Sequence, residues 1–206
     1  MQVLKNYDCS ELEKLLIKDG LLIPVAYEKL KRFPQEQLSV FCLKNGFYQL
    51  PTIELIDFLK EEIKGLKTIE IGAGNGSIGR ALKIPLTDSC LQEKPEIKAF
   101  YLMMQQAPIK YPKDIIPIDG NEAVKLLKPE CVIASWLTDY RNGNAYGIDE
   151  IKIIKSVKKY IHIGNEKTHG FKLALKKFKN RRFTFDWLIS RSMEKNLNII
   201  YIFYNE

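Results

Sequence analysis

The sequence predicts an α/β fold in which helices cover a mostly parallel sheet that ends in an antiparallel hairpin. From residue 67 onwards, strand-like segments alternate with helix-like segments, which is the order that produces parallel strands. The first of these strands runs directly into a glycine-rich turn at 72–76. Near the end of the chain, two strand-like segments follow each other without a helix between them. That arrangement predicts a hairpin at the edge of the sheet.

Residues 1–50 are expected to form a helical cap that precedes an α/β domain of residues 51–206. Apolar residues recur there at helical spacing, and Gly, Pro or Asn-Gly signals interrupt them. The helix-like segments there are 10–18, 25–32 and 35–44, and a further helix at 52–63 is expected to lead into the first strand of the α/β domain. The pattern leaves open whether this extension covers a ligand site or forms an interface.

The alternating part of the chain supplies five strands and five helices. The expected strands are 67–72, 84–88, 114–118, 130–136 and 159–164. The expected helices are 76–82, 93–106, 120–127, 148–158 and 169–179. The closing hairpin is expected from strands at 182–189 and 197–204, joined by the polar residues 193–196.

Composition narrows the class of protein. The 206 residues are 46% hydrophobic and 28% charged, and no apolar run approaches the ~20 residues that cross a bilayer. The first residues lack the apolar core of a signal peptide, so a cytoplasmic location without membrane association is expected. The four cysteines form no Cys-x-x-Cys pair, and we expect free thiols and no metal site.

Positive charge is concentrated near the carboxyl end. Residues 152–195 hold 13 Lys and Arg against 3 Asp and Glu, within a chain of net charge +7. Such asymmetry predicts a polyanionic partner, with nucleic acid as the candidate, and the alternative is a set of solvated helix faces. Phe183, Phe185 and Trp187 alternate within this region and could stack on bases, although core packing is the stronger interpretation.

Two fingerprints overlap in the glycine-rich turn. Residues 74–79 match G-x-G-x-x-G, the dinucleotide signature, and Glu70 with the glycines at 72, 74 and 76 forms an acid-x-Gly-x-Gly-x-Gly turn. Glu70 decides between them, because a carboxylate beside the turn would repel a pyrophosphate and attract a cation. The acid-first turn is therefore favoured, and a turn without a ligand is the remaining alternative.

Over residues 52–206 the chain resembles class I S-adenosyl-L-methionine (SAM)-dependent methyltransferases. More narrowly, it resembles a bacterial group of uncharacterised methyltransferase-like proteins. The phrases that match are Leu50–Ile56, Ile69–Gly76, Thr87–Ser89 and Ile161–Glu166. The resemblance implies a Rossmann-like methyltransferase sheet and SAM as cofactor, and it implies no particular acceptor.

The resemblance also implies roles for individual residues. The methionine part of SAM is expected on Glu70 and on the turn formed by Gly72, Ala73, Gly74, Asn75 and Gly76. Asp88, at the end of the second strand, is expected to bind the ribose hydroxyls, or else to stabilise a turn. Asp119 with Gly120 is expected at the adenine, or else as a helix cap, and Ser135 is expected beside the cofactor.

The acceptor, a nucleic acid or a small metabolite, is expected over the end of the fourth strand. Trp136, Asn165 and His169 are candidates for binding it, and Asp139 and Tyr140 are candidates for a base and its orienting group. The glycine-rich residues 141–147 would form a lid. For Trp136 and His169 the competing interpretations are a core residue and a helix cap. Two other functions stay open: a non-catalytic protein that retains a SAM-type pocket, and an NAD(P)-binding oxidoreductase.

Overall fold

The computed structural model describes residues 7–137, 147–169 and 177–205. Its helices are α1 (Ser10–Leu16), α2 (Tyr27–Leu30), α3 (Gln35–Asn45), α4 (Ile53–Glu62), α5 (Ser77–Leu82), α6 (Pro95–Met103), α7 (Gly120–Leu127) and α8 (Glu150–Ser156). Its strands are β1 (Ile17–Lys18), β2 (Leu21–Leu22), β3 (Thr68–Ile71), β4 (Leu86–Asp88), β5 (Ile116–Pro117), β6 (Cys131–Ser135), β7 (Lys159–Asn165), β8 (Asn180–Phe183) and β9 (Asn198–Tyr204). Within these ranges, none of the helices has the length and apolar character needed to cross a membrane.

Seven strands form one sheet in the order β5-β4-β3-β6-β7-β9-β8. The strands from β5 across to β7 are parallel to their neighbours, and β9 runs antiparallel to both β7 and β8. The chain therefore has the α/β fold of a Rossmann-like methyltransferase sheet, closed by a C-terminal antiparallel hairpin. Because parallel strands end at a common edge, the segments that follow β3, β4 and β6 meet there.

The central strands are apolar on both faces because helices cover the sheet on both sides. Along β6, Val132 and Ala134 pack in one core with residues of α7 and α8. Cys131 and Ile133 alternate with them and pack in the opposite core with residues of α4 and α5. Helix α4 begins at the cap Thr52, whose hydroxyl oxygen accepts the N–H of Leu55 at 3.2 Å. This arrangement places the loops of the carboxyl edge over a rigid base.

The N-terminal extension has a core of its own and is attached to the carboxyl-terminal part of the chain. Its apolar cluster, drawn from residues 9–50, includes Ile189 from the segment between β8 and β9. The N–H of Leu50 donates to the Ile189 carbonyl oxygen at 2.9 Å, and the N–H of Arg191 donates to the Tyr48 carbonyl oxygen at 2.9 Å. The extension is thus fixed beside the sheet by backbone hydrogen bonds.

Strand β8 (Asn180–Phe183) begins earlier in the chain, and is shorter, than the strand expected at 182–189. It ends at Phe183, and the aromatic residues that follow do not continue it. Trp187 stacks on Phe185 with ring centroids 4.2 Å apart, and both contact Phe58 of α4. The alternating aromatic pattern therefore reflects packing on a helix, which is also the core packing favoured over stacking on bases. The lid predicted at 141–147 and the helix predicted at 169–179 lie mostly outside the described residues.

Candidate functional site

A sharp turn joins β3 to α5 at the carboxyl edge of the sheet. Gly72, Gly74 and Gly76 have φ angles of +57°, +57° and +70°, which side chains rarely allow. The turn is held against β4, since the Ala73 N–H donates to the Thr87 carbonyl oxygen at 3.0 Å. Residues 72–75 line a cavity, so the bare backbone of this turn forms part of its wall.

Glu70 lies on β3 beneath helix α5. The residue is 2% exposed, and its Oε2 accepts the Gly79 N–H at 2.8 Å. Burial raises the pKa of Glu70 to about 8; the Gly79 hydrogen bond and Arg80 oppose this shift, and Asp88 adds to it. In the ligand-free protein at neutral pH, this carboxyl group is therefore mostly protonated. A cation bound beside it would favour the ionised form.

Asp88 ends β4 and joins two loops of the site. Its Oδ2 accepts the Gly74 N–H at 2.8 Å, and its Oδ1 accepts the Cys90 N–H at 2.8 Å. Burial raises the pKa of Asp88, and these two hydrogen bonds oppose the shift. Each carboxylate oxygen can accept a second hydrogen bond, so Asp88 can hold the glycine turn and also accept from ligand hydroxyls.

Asp119 is the N-cap of α7. Its Oδ1 accepts the N–H groups of Asn121 at 2.8 Å and Glu122 at 3.4 Å, which is the capping role that the sequence left open. The residue also lines the cavity. Gly120 follows it, and a Cβ there would lie 2.9 Å from a methyl carbon of Ile148. The start of α7 therefore packs closely against the cavity wall.

One cavity brings together most of the predicted cofactor residues. Every one of them except Gly76 lines it, and so does Trp136: Glu70, Gly72, Ala73, Gly74, Asn75, Asp88, Asp119, Gly120, Ser135 and Trp136. Three of these residues are carboxylates. Among the described residues that line the cavity, none is a lysine, an arginine or a histidine. When ionised, the carboxylates of such a wall attract a cationic ligand and repel a phosphate, and a bound cation itself favours the ionised form of Glu70.

The end of β6 supplies two unusual residues. Ser135 has a buried Oγ without a hydrogen-bond partner in the described part of the chain. Trp136 has a φ of +54°, a genuine outlier for an aromatic residue. Its indole Nε1–H donates to Gln49 Oε1 at 3.2 Å, and its ring lies 6.0 Å from the ring of Tyr48. Backbone strain of this kind is found at functional sites more than elsewhere.

A neutral polar network forms the rest of the wall. Gln92 Nε2 donates to the Tyr48 hydroxyl at 3.0 Å, and that hydroxyl donates to the Tyr101 hydroxyl at 3.1 Å. The N–H of Ile109 donates to Gln92 Oε1 at 2.9 Å. Burial raises the pKa of Tyr101 and Tyr111 well above the usual range, so both hydroxyls stay protonated. This part of the wall therefore offers hydrogen bonds without charge.

Sequence reasoning did not identify these wall residues. They come from the extension at 46–49 and from the segment 91–111, and neither segment carries a motif. The sequence contains only a weak indication of the wall residues at 46–49. The phrase Leu50–Ile56, which matches the methyltransferase-like group, begins directly after Gln49. The extension forms one wall of the cavity through residues 46–49.

Asn165 and His169 lie behind the cavity and do not line it. Asn165 Nδ2 donates to Asn198 Oδ1 at 2.9 Å and to the Glu194 carbonyl oxygen at 2.9 Å, which connects β7 to the start of β9 and to the segment before it. His169 is 6% exposed and packs against Trp136. Contact of either residue with a substrate stays a prediction.

The two predicted catalytic residues, Asp139 and Tyr140, lie outside the described residues, as do Lys172 and Lys176 of the basic region. Several described basic residues of that region form ion pairs with acidic side chains. These pairs are Lys158–Glu130, Lys159–Glu62, Lys167–Glu194, Arg181–Glu62 and Arg182–Glu166. These pairs engage five of the eleven basic residues in the described part of 152–195.

Comparison with models of known protein families gives no match, and comparison with curated proteins gives none either. Among solved structures, the chain is similar to WbdD, a bifunctional kinase-methyltransferase, at 13% identity over 74% of this chain, with a TM-score of 0.46. The chain spans only 41% of that WbdD chain. It is similar to the 16S rRNA methylase ArmA at 12% identity over 98% of this chain and 100% of that one, with a TM-score of 0.43. A third similar structure is Thermoplasma acidophilum 1320, at 13% identity over 84% of this chain and 98% of that one, with a TM-score of 0.40. These likenesses concern the fold, and none of them assigns a substrate or a cofactor to this chain.

Proposed function

We propose that this chain is a SAM-dependent methyltransferase. The observation that carries the proposal is the set of acidic groups in the cavity wall, where Glu70, Asp88 and Asp119 line the cavity and no basic side chain does among the described residues. SAM has an α-ammonium, a sulfonium and no phosphate, so this wall suits it. A nicotinamide dinucleotide would place its pyrophosphate against the same carboxylates, which would repel it.

Each part of SAM has a counterpart in the wall. Glu70 would pair with the α-ammonium, Asp88 would accept the ribose hydroxyls, and Asp119 with Gly120 would contact the adenine amino group. When bound, SAM supplies a methyl group on a sulfonium, which is activated for in-line displacement. The protein then has to align the acceptor and exclude water, and an acid/base pair is not essential.

We propose a small acceptor that enters beside Ser135 and Trp136. The neutral wall formed by Tyr48, Gln49 and Tyr101 encloses that side of the cavity, which suits a small molecule with hydrogen-bonding groups. A nucleic-acid acceptor is the alternative, since the ion pairs named above engage only five of the eleven basic residues described in 152–195. Asp139 and Tyr140 follow the lining residue Leu137 closely in the chain and remain the candidates for receiving a proton from the acceptor.

Isothermal titration of the purified protein with SAM, S-adenosylhomocysteine and NADH tests the cofactor. The Glu70→Gln variant is expected to weaken SAM binding about tenfold or more, because it removes a charge-assisted contact. The control is Glu130→Gln, which removes a carboxylate before β6, at the opposite edge of the sheet, and should leave SAM binding unchanged.

Binding of NADH without binding of SAM would overturn the proposal, and so would absence of SAM binding in a protein with a native circular dichroism spectrum. Turnover with labelled SAM is then measured over a panel of small acceptors and RNA. SAM affinity without turnover on any of them would instead establish a non-catalytic binding protein. Turnover on RNA alone would overturn the small-acceptor part.

A further inference from the structure

The two histidines of the chain pack against each other inside the protein. His162 of β7 is fully buried, His169 follows that strand, and their ring centroids lie 5.2 Å apart. Gly164 makes room for both rings, because a Cβ there would lie 2.7 Å from His162 Nε2 and 2.7 Å from His169 Nδ1. The backbone of β7 is thus shaped around this pair.

A buried carboxylate contacts one end of the pair. Glu150, the first residue of α8, is 5% exposed, and its Oε1 lies 3.2 Å from His162 Nδ1. The same oxygen accepts the Tyr160 hydroxyl. A buried carboxyl group needs polar partners. Tyr160 donates a hydrogen bond to it, and His162 lies within ion-pair distance of it.

The other end of the pair contacts the cavity wall. The ring of His169 meets the indole of Trp136 edge to face, with centroids 5.0 Å apart and planes at 79°. Trp136 lines the cavity and has the strained backbone described above. Glu150, His162, His169 and Trp136 therefore form a continuous series of side-chain contacts from the start of α8 to the cavity.

The position of His169 Nδ1 makes this series sensitive to a proton. That nitrogen lies 3.0 Å from the backbone nitrogen of Asn165 and 3.1 Å from its carbonyl oxygen. When the nitrogen is unprotonated it accepts the Asn165 N–H, and when it is protonated it donates to the Asn165 oxygen instead. A proton therefore replaces one of the contacts that orient the ring against Trp136.

Other titratable groups face the pair from the neighbouring elements. Tyr201 of β9 lies opposite His162 in the sheet register. The Tyr201 hydroxyl donates to Glu166 at 3.0 Å, and Glu166 also accepts from Arg182. Together with Glu150 and Tyr160, these charged and titratable groups face the pair from the described elements.

We propose that Glu150, His162 and His169 are positioning residues for Trp136, and that protonation of His169 changes the orientation of the indole at the acceptor side of the cavity. The effect on the acceptor rests on the proposed function. The reorientation of the Trp136 indole does not, because it is measured in the protein without any ligand. The acceptor KM, more than kcat, is therefore expected to depend on this series.

Tryptophan fluorescence tests the proposal directly. The chain has two tryptophans, so Trp187→Phe leaves Trp136 as the reporter. Its emission is expected to fall as the pH is lowered from about 8 to about 5.5, the range in which histidine takes up a proton, because an imidazolium quenches a neighbouring indole. Adding His169→Gln should abolish this change. Adding Glu150→Gln should move its midpoint to lower pH, because the carboxylate that favours positive charge is gone.

Glu130→Gln in the same background is the control and should leave the midpoint in place. Emission that does not change with pH would overturn the proposal, and so would a transition that persists in the His169→Gln variant. If that variant does not fold, NMR of the two histidine rings in the wild-type protein decides instead. One of the two rings must then titrate with the same midpoint as the emission change. If neither ring titrates between pH 5.5 and pH 8, the proposal is refuted. Since no ligand is present, these outcomes are independent of whether the protein binds SAM.

Discussion

Replacement of Glu70 by glutamine should stabilise the folded protein at neutral pH and weaken its affinity for SAM. Glutamine has the same shape and keeps an oxygen that can accept the Gly79 N–H, which now bonds to Oε2 at 2.8 Å. It carries no charge at any pH. The substitution therefore isolates the ionisation of one buried carboxyl group.

The effect on stability follows from the pKa of Glu70, which burial raises from 4.5 to about 8. Between these values the folded state binds more protons than the unfolded state, so the free energy of unfolding decreases as pH rises. Each pH unit is equivalent to about 1.4 kcal/mol, and from pH 4.5 to pH 7 the decrease amounts to about 3 kcal/mol. The variant lacks this term, so its stability relative to wild type should improve by that amount over the same interval.

The effect on binding has the opposite direction. An α-ammonium pairs with the ionised carboxylate, and below a pKa of about 8 the ionised fraction rises about tenfold per pH unit. The Kd of SAM for the wild-type protein should therefore fall about tenfold between pH 6 and pH 7, with close to one proton released per SAM bound. The glutamine variant should bind more weakly and show no such slope.

Titration calorimetry from pH 6 to pH 7.5 in two buffers with different heats of ionisation measures both the affinity and the released proton. The range keeps the α-ammonium of SAM mostly protonated, given that α-amino groups titrate at about 8. Urea unfolding of both proteins at pH 5 and pH 7.5 measures the stability term. The reasoning would be refuted if the Kd of SAM had the same pH dependence in both proteins. It would also be refuted if the free energy of unfolding of the variant, relative to wild type, did not increase from pH 5 to pH 7.5.

Three further substitutions test other parts of the site. Gly79→Ala should lower the free energy of unfolding by about 1–3 kcal/mol in urea unfolding, because its Cβ would lie 2.3 Å from a methyl carbon of Leu86; an unchanged value would contradict this. Gln49→Leu removes the acceptor of the Trp136 indole N–H, so it should lower the free energy of unfolding by about 1–3 kcal/mol and change the tryptophan emission. Unaltered emission would count against the contact between Gln49 and Trp136. Asp119→Ala should cost about 1 kcal/mol through loss of the helix cap, whereas Asp119→Asn should keep the cap and lose only SAM affinity; equal stability of the two would refute the capping role.

The sheet was predictable from the sequence because its strands are buried on both faces. Residues 131–134 are Cys-Val-Ile-Ala, and a short apolar run between polar loops indicates such a strand. The extent of β8 was not predictable in the same way. Phe185 and Trp187 have the alternation of a strand, yet they stack on a helix that lies more than 120 residues away in the chain.

The glycine-turn side of the cavity was predictable because one local motif contains it. Glu70 and the glycines that follow need a particular backbone, and only a few residue types allow that backbone. The acceptor side depends on distant segments. The Tyr48 network and the contact between Glu150 and His162 arise when separate elements pack together, and neither leaves a spacing that a sequence pattern can reveal. The φ of Trp136 likewise has no local signal.

The attachment of the extension to the carboxyl-terminal segment has a consequence for synthesis of the protein on the ribosome. Gln49 Nε2 donates to the carbonyl oxygen of Ile189 at 2.8 Å, across 140 residues of sequence. Residues 46–49 therefore leave the ribosome long before the segment that holds them in place exists. Contacts of such long range form late and slow the folding of a chain. The cavity is thus completed only after residue 189 has been made, and a nascent chain that stops before that residue would have the glycine turn without the contacts that hold the facing wall in place.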